Sequence, residues 1–132
     1  MKLKMFFGLG VALSTVSGFA VTEFFSGTGS WMDSTAWDAG KLPDATNTVQ
    51  VAGGAQLTFA ADAATTQSVA RLELGYQKDV ADAAQLHLQN GTLRPNYFFM
   101  GTASNSTAVV VQTGGTLATV TKADPEFSIG YI

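Results

Sequence analysis

Cysteine is absent from this 132-residue chain and histidine occurs once. No disulfide framework is available, and a zinc centre lacks its usual ligands. Positive charge is also scarce: seven basic residues stand against ten acidic ones, with no basic cluster. Nothing here attracts a phosphate backbone, so no nucleic-acid partner is expected. The G-x-S-x-G elbow of serine hydrolases does not occur, which leaves a Ser-His-Asp device without its nucleophile. Helical periodicity is missing after the first residues. The one Ala-rich stretch, Ala60 to Ala64, lies among Thr and Asp residues and shows no period of 3.6. A membrane-length run is missing as well. The apolar stretch from Met5 to Val16 falls short of the ~20 residues a bilayer core requires, and Glu23 closes it.

What that stretch does match is a secretory signal peptide. Lys2 and Lys4 precede it, and Gly18 and Ala20 supply small residues at a cleavage site. Residues 1–20 are read as a signal peptide forming a helix, cleaved after Ala20, with no membrane span thereafter. No Cys follows the apolar run, so a lipid-modified bacterial N-terminus is excluded. The mature chain, Val21 to Ile132, is long enough for one small domain and has a formal charge of 5 − 10 = −5. A secreted chain without disulfides must be held by burial and backbone pairing, which suits export in a Gram-negative bacterium.

The most informative positive feature is a repeated phrase. An alternating apolar strand runs into a Gly turn and a Leu, at Val49–Leu57, Leu86–Leu93 and Val109–Leu117. A companion strand ending in Gly appears as Leu72-Glu73-Leu74-Gly75, Phe98-Phe99-Met100-Gly101 and Phe127-Ser128-Ile129-Gly130. Along the chain, the glycines that close this companion recur at intervals of 101 − 75 = 26 and 130 − 101 = 29. Two or three short strands plus turns need about that much chain to complete one coil, stacked at ~4.8 Å on the next. The first strands are less regular, with intervals of 86 − 49 = 37 and then 109 − 86 = 23. The surplus near Thr58 to Ala70 is expected as an outward loop, with or without one extra strand.

The expected fold is therefore all-β, a parallel β-helix or solenoid. Residues 21–48 form an N-terminal Trp-containing cap, and 49–132 form the solenoid repeats. The expected inner stack is Leu72, Leu74, Leu86, Leu88, Leu93, Met100, Val109, Val111, Leu117 and Ile129. Asn90-Gly91 is the strongest short signal for a two-residue hairpin. If it reverses the chain, the alternative is an antiparallel β-sandwich.

At Gly27-Thr28-Gly29-Ser30-Trp31, followed by Trp37-Asp38-Ala39-Gly40-Lys41-Leu42-Pro43, the chain resembles a pattern of bacterial surface proteins. It reads roughly G-x-W, a polar spacer, then W-x-x-G-x-x-P. It opens the β-solenoid of autotransporter passenger-like proteins and of exported proteins with a C-terminal PEP sorting signal. The resemblance implies a right-handed parallel β-helix, secreted or at the cell surface. No sorting helix or outer-membrane barrel follows Ile132, so the chain is expected to be an N-terminal fragment, truncated at its C-terminus, whose partner is the remainder of a longer solenoid.

Individual residues offer little chemistry. His87 lies between leucines on the outward side of a strand, without catalytic companions. Asp79, Asp82 and Glu73 provide too few oxygens for Ca²⁺, which takes six to eight. Arg71 and Arg94 flank strands as surface-pairing groups. Thr92, Thr116 and Thr121 are outward but are not expected to form a clean ladder. Asn105-Ser106-Thr107 has the form of a glycosylation acceptor, which carries no weight in bacterial export. Trp31 and Trp37 are read first as packing that covers the open end of the core, and second as candidate glycan contacts. No catalytic residue, metal or cofactor is expected.

The functional expectation is an exported, adhesin-like structural scaffold at the bacterial surface. One alternative is a polysaccharide-binding module meeting cell-surface or extracellular polysaccharide. Another is the N-terminal part of a pectate-lyase-like enzyme whose catalytic coils lie beyond Ile132.

Overall fold

The structure, a computed structural model, describes residues 21–77, 79, 82–119 and 126–129. The expected signal helix at 1–20 lies outside the described residues, as does Thr121. Ten strands follow in order: β1 (Thr22–Phe25), β2 (Thr28–Ser30), β3 (Thr48–Val51), β4 (Gln56–Ala60), β5 (Thr66–Leu74), β6 (Ala84–Asn90), β7 (Thr92–Met100), β8 (Ala108–Gln112), β9 (Thr116–Leu117) and β10 (Glu126–Ile129). One sheet has the order β1-β3-β5-β7-β10, with β9 also paired to β7; the other has the order β2-β4-β6-β8. Every described pairing is parallel.

Parallel neighbours cannot be joined by a tight hairpin. From β1 to β9 each strand of one sheet is followed by a strand of the other and the chain returns one coil further on, while β9 and β10 together cover the two halves of β7. The result is an all-β parallel solenoid of about four turns. Among the described residues there is no α-helix, only a 3₁₀ turn at Ser34–Ala36. The sandwich alternative fails at Asn90-Gly91, where the chain passes from one sheet to the other without reversing against its neighbour. Gly91 has φ +79°, and Thr92 N donates to Thr65 O at 2.9 Å, one coil back. Gly115 repeats that corner with φ +65°, and a Cβ there would meet Gly91 O at 2.7 Å. Only glycine allows such an approach at that dihedral.

Alternation along each strand sends one set of side chains into the coil. In register, Val49, Leu72 and Phe98 form one inward column; Val51, Leu74, Met100 and Ile129 form a second; Leu57, Leu86 and Val110 form a third. Leu57, Leu72, Leu74, Leu86, Leu88 and Leu93 are wholly buried. Each such residue contributes ~1.5–3 kcal/mol relative to an exposed one. Met100 and Leu117 are half-buried against this core. Ile129 occupies its expected column but is 68% exposed, since the last described coil has a neighbour on one side only.

Two expectations about phase are corrected. Val109 and Val111 pair with Gln85 and His87 on the outward side, whereas Ala108 and Val110 pack against the core. A run of three valines carries no alternation of its own, so the register of β6 decides which one turns in. The apparent surplus between the first two copies of the repeat is likewise an error of phase. Val49 lies in the five-strand path and Leu86 in the other sheet, so they are not equivalent. Both kinds of corner are Gly-rich, which made the two strand-turn-strand phrases look alike. Counted between positions that pair in register, successive coils advance along the chain by 48 − 22 = 26, 71 − 48 = 23, 97 − 71 = 26 and 126 − 97 = 29. Thr58 to Ala70 is no outward loop but the end of β4, a corner and the first half of β5.

Strand β7 accommodates a proline for a related reason. Leu93 O accepts from Ala118 N at 3.0 Å in the next coil, so by alternation the nitrogen of Pro95 faces that same side. There, β9 pairs with Thr92 and Leu93 and β10 pairs from Tyr97 onward, with no described partner opposite Pro95. The missing N–H falls where no ladder bond is described.

Candidate functional site

The Trp segment packs inside the coil. Trp31 and Trp37 are 0% and 3% exposed. Their rings meet edge-on at 5.2 Å, Trp31 packs against Phe59 at 5.8 Å, and Trp37 against Phe25 at 5.5 Å. Trp37 Nε1 donates to Trp31 O at 2.9 Å. A sugar-stacking platform needs an open ring face, and at these exposures neither ring offers one. Gly29 makes room for the cluster: a Cβ there would sit 3.3 Å from the Phe25 ring.

The loop carrying Trp37 is held by two small Asp–Thr turns. Asp33 accepts from the Thr35 hydroxyl at 2.7 Å and from Thr35 N at 2.9 Å. Asp44 accepts from the Thr46 hydroxyl at 2.6 Å and Thr46 N at 2.9 Å, with Lys41 at 3.3 Å. These bonds, the hydroxyl ones first, hold both carboxyls below the ordinary Asp value. Buried Asn47 ties three segments together. Its Oδ1 accepts from Asp44 N, its Nδ2 donates to Val21 O, and its own carbonyl accepts from Ala70 N. Glu23, a buried carboxylate in the first coil, accepts from Ala39 N at 3.3 Å.

The outer face of the sheet containing β3, β5 and β7 holds a different cluster. Register places Phe24, Gln50, Glu73, Phe99 and Ser128 in one outward column, with Thr48, Arg71 and Tyr97 in the next. Glu73 is the centre. Its Oε2 accepts from Gln50 Nε2 and its Oε1 faces Arg71 Nη2, both at 2.5 Å. The Arg71 guanidinium lies 4.3 Å above the centre of the Phe99 ring. Glu73 is thereby 6% exposed although it points outward, while the Arg71 side chain remains 44% exposed. Phe24, 46% exposed, meets the Tyr76 ring at 5.9 Å. Sequence reading foresaw surface pairing for Arg71 and an outward Glu73 but not their convergence with Gln50 and Phe99. The signal was available in the lengths of the two coils that bring these residues into register, once the phase of each strand is known.

The remaining candidates stand apart. His87 is outward and contacts Gln85 Oε1 through Nε2 at 3.1 Å. Asp79 pairs with Asn105, and among the described residues no group of three or more His, Cys, Asp or Glu could hold a metal. Thr92 and Thr116 stack in register, headed by Thr66, while Thr121 lies outside the described residues. A shallow cavity of about 260 Å³ is lined by Met100, Gly101, Ser106, Thr107, Ala108 and Ile129. It is smaller than the ~300–1,000 Å³ of typical ligand pockets and carries no charged group. No helix among the described residues is long and apolar enough to cross a membrane.

These features define the chain as a parallel β-solenoid with an aromatic packing cluster in its first coils. Comparison with known proteins finds no matching family model, no matching curated protein and no matching solved structure.

Proposed function

We propose that this chain is a structural segment of an exported bacterial surface protein, a scaffold whose work is extension. The observation that carries this reading is the in-register parallel ladder. Each coil adds ~4.8 Å of height, bonds its backbone to the coil before it and buries a matching set of apolar side chains. Such a body gains length by repetition and needs no reacting centre. Export is the second half of the proposal and rests on Lys2, Lys4, the apolar run to Val16 and the Gly18/Ala20 pair. The Trp31 segment and the coils after it resemble autotransporter passenger-like and PEP-sorted proteins, which favours a place at or beyond the cell surface.

The test is expression of the full chain in a Gram-negative host, followed by fractionation and N-terminal sequencing. A product outside the inner membrane that begins at Val21 is expected. A cytoplasmic product retaining Met1 removes the export claim, and depolymerisation of a polysaccharide by the purified protein removes the purely structural one.

A further inference from the structure

The geometry points to a saccharide-binding strip on the outer face of the sheet containing β3, β5 and β7, centred on Arg71, Glu73 and Gln50 and flanked by Phe24, Tyr76 and Tyr97. Its ligand class is a neutral, hydroxyl-rich polysaccharide. This site is distinct from the buried tryptophans and is independent of the scaffold reading.

Arg71 is the first ground. Its guanidinium is fixed from two directions, by Glu73 Oε1 through Nη2 and by the face of Phe99 beneath it. Its Nε is buried out of a ligand's reach, but the side chain as a whole is nearly half exposed. A planar donor fork held in place but not saturated loses little entropy when it meets an acceptor oxygen. Glu73, buried with both oxygens engaged, anchors the fork, and Gln50, one coil back, places a partly buried amide beside it. The guanidinium supplies donors and the amide an acceptor oxygen, which suits hydroxyls that give and take hydrogen bonds.

The second ground is aromatic. Phe24, two coils before Glu73 in the same outward column, presents nearly half of its surface to solvent and is braced by Tyr76. Tyr97 lies one coil beyond Arg71 in the adjacent column. A half-exposed ring supported by a second ring gives the flat apolar surface on which the C–H face of a sugar packs. The rings and the polar groups lie along the solenoid axis at the coil spacing, so a chain ligand lying along that axis would meet them in succession.

Charge selects the ligand. Arg71 and Glu73 neutralise one another, and the protein is acidic, with a formal charge of −3. A polyanion would be repelled by the molecule and gain no net positive patch. A neutral saccharide incurs neither penalty.

Native gels cast with dextran, hydroxyethyl cellulose or galactomannan, and in parallel with polygalacturonate, test the proposal on the full chain. Retardation by at least one neutral polymer is expected. Phe24→Ala and Arg71→Lys should each weaken that retardation about tenfold. The lysine variant keeps a cation beside Glu73 while losing the fork, and Phe24 is exposed, so both should melt with the parent protein. Migration unaffected by every neutral polymer overturns the proposal. So does stronger retardation by polygalacturonate, or variants that bind as the parent does.

Discussion

Asn105 donates through Nδ2 to Asp79 Oδ1 at 2.8 Å, and both residues hold the same left-handed backbone, with φ of 58° and 57°. Each follows a left-handed glycine at the same interval, Gly101 and Gly75 respectively. Asp79 N also donates to Ser104 O at 3.0 Å. In-register stacking thus reaches beyond the strands into the turns that follow β5 and β7. Asn105→Ala should lose a hydrogen bond worth ~1 kcal/mol and replace a residue that tolerates the left-handed region with one that tolerates it less well. Asn105→Gly should lose the bond but relieve the strain, and so remain closer to the parent. Urea denaturation of the two variants checks the order. Equal stability would mean that the turns do not support one another.

The inward phase of β8 is testable by charge. Leu88 is wholly buried, and Leu88→Asp should unfold the domain by burying an unpaired carboxylate. Val110→Asp, at a partly buried position against the core, should destabilise more than Val109→Asp, which lies on the outward side and should stay within about 1 kcal/mol of the parent. Melting curves that rank Val109→Asp as the more damaging of the two valine variants would reverse the assignment.

Acid should loosen the Trp-bearing loop. Asp33 and Asp44 have pKa values depressed in the folded chain, chiefly by the hydroxyls of Thr35 and Thr46. A depressed carboxylate adds stability that is present above its unfolded value and is lost as pH falls through the folded one. The loss should therefore begin near pH ~4 and grow below it. The double variant Thr35→Val/Thr46→Val removes the hydroxyl donors and should show a smaller drop in Tm between pH ~6 and pH ~3 than the parent. An unchanged drop would place the acid sensitivity elsewhere.

Much of the architecture was legible because strands announce themselves by alternation. Leu72-Glu73-Leu74 and Leu86-His87-Leu88 each state which side is inward, and the glycines at 75 and 101 give the coil length. Legibility failed where alternation is silent or where two different corners share one spelling. Val109-Val110-Val111 reads equally well in either phase, and only the partner strand decides. The Gly-Gly pairs at 53–54 and 114–115 mark opposite kinds of crossing yet look identical, which displaced the first copy of the repeat by half a coil. The Arg71–Glu73–Gln50–Phe99 cluster needed both facts at once, since its members are neighbours only after register is known. The threonine column at 66, 92 and 116 escaped for the same reason. Glu23, an acid turned inward in the first coil, runs against what its residue type suggests.

The unequal lengths of successive coils carry a consequence for how such a chain can change. Paired positions are bound to counterparts in adjoining coils, so a residue gained within a strand inverts a column unless a bulge absorbs it, as where β6 carries one residue more than β4 between the partners of Phe59 and Ala60. A residue gained at a bend that makes no such contact with the bend of the next coil merely widens the outline there. Insertions and deletions should accordingly gather at the corners, leaving the rungs as the fixed grammar of the molecule and the bends as its free vocabulary.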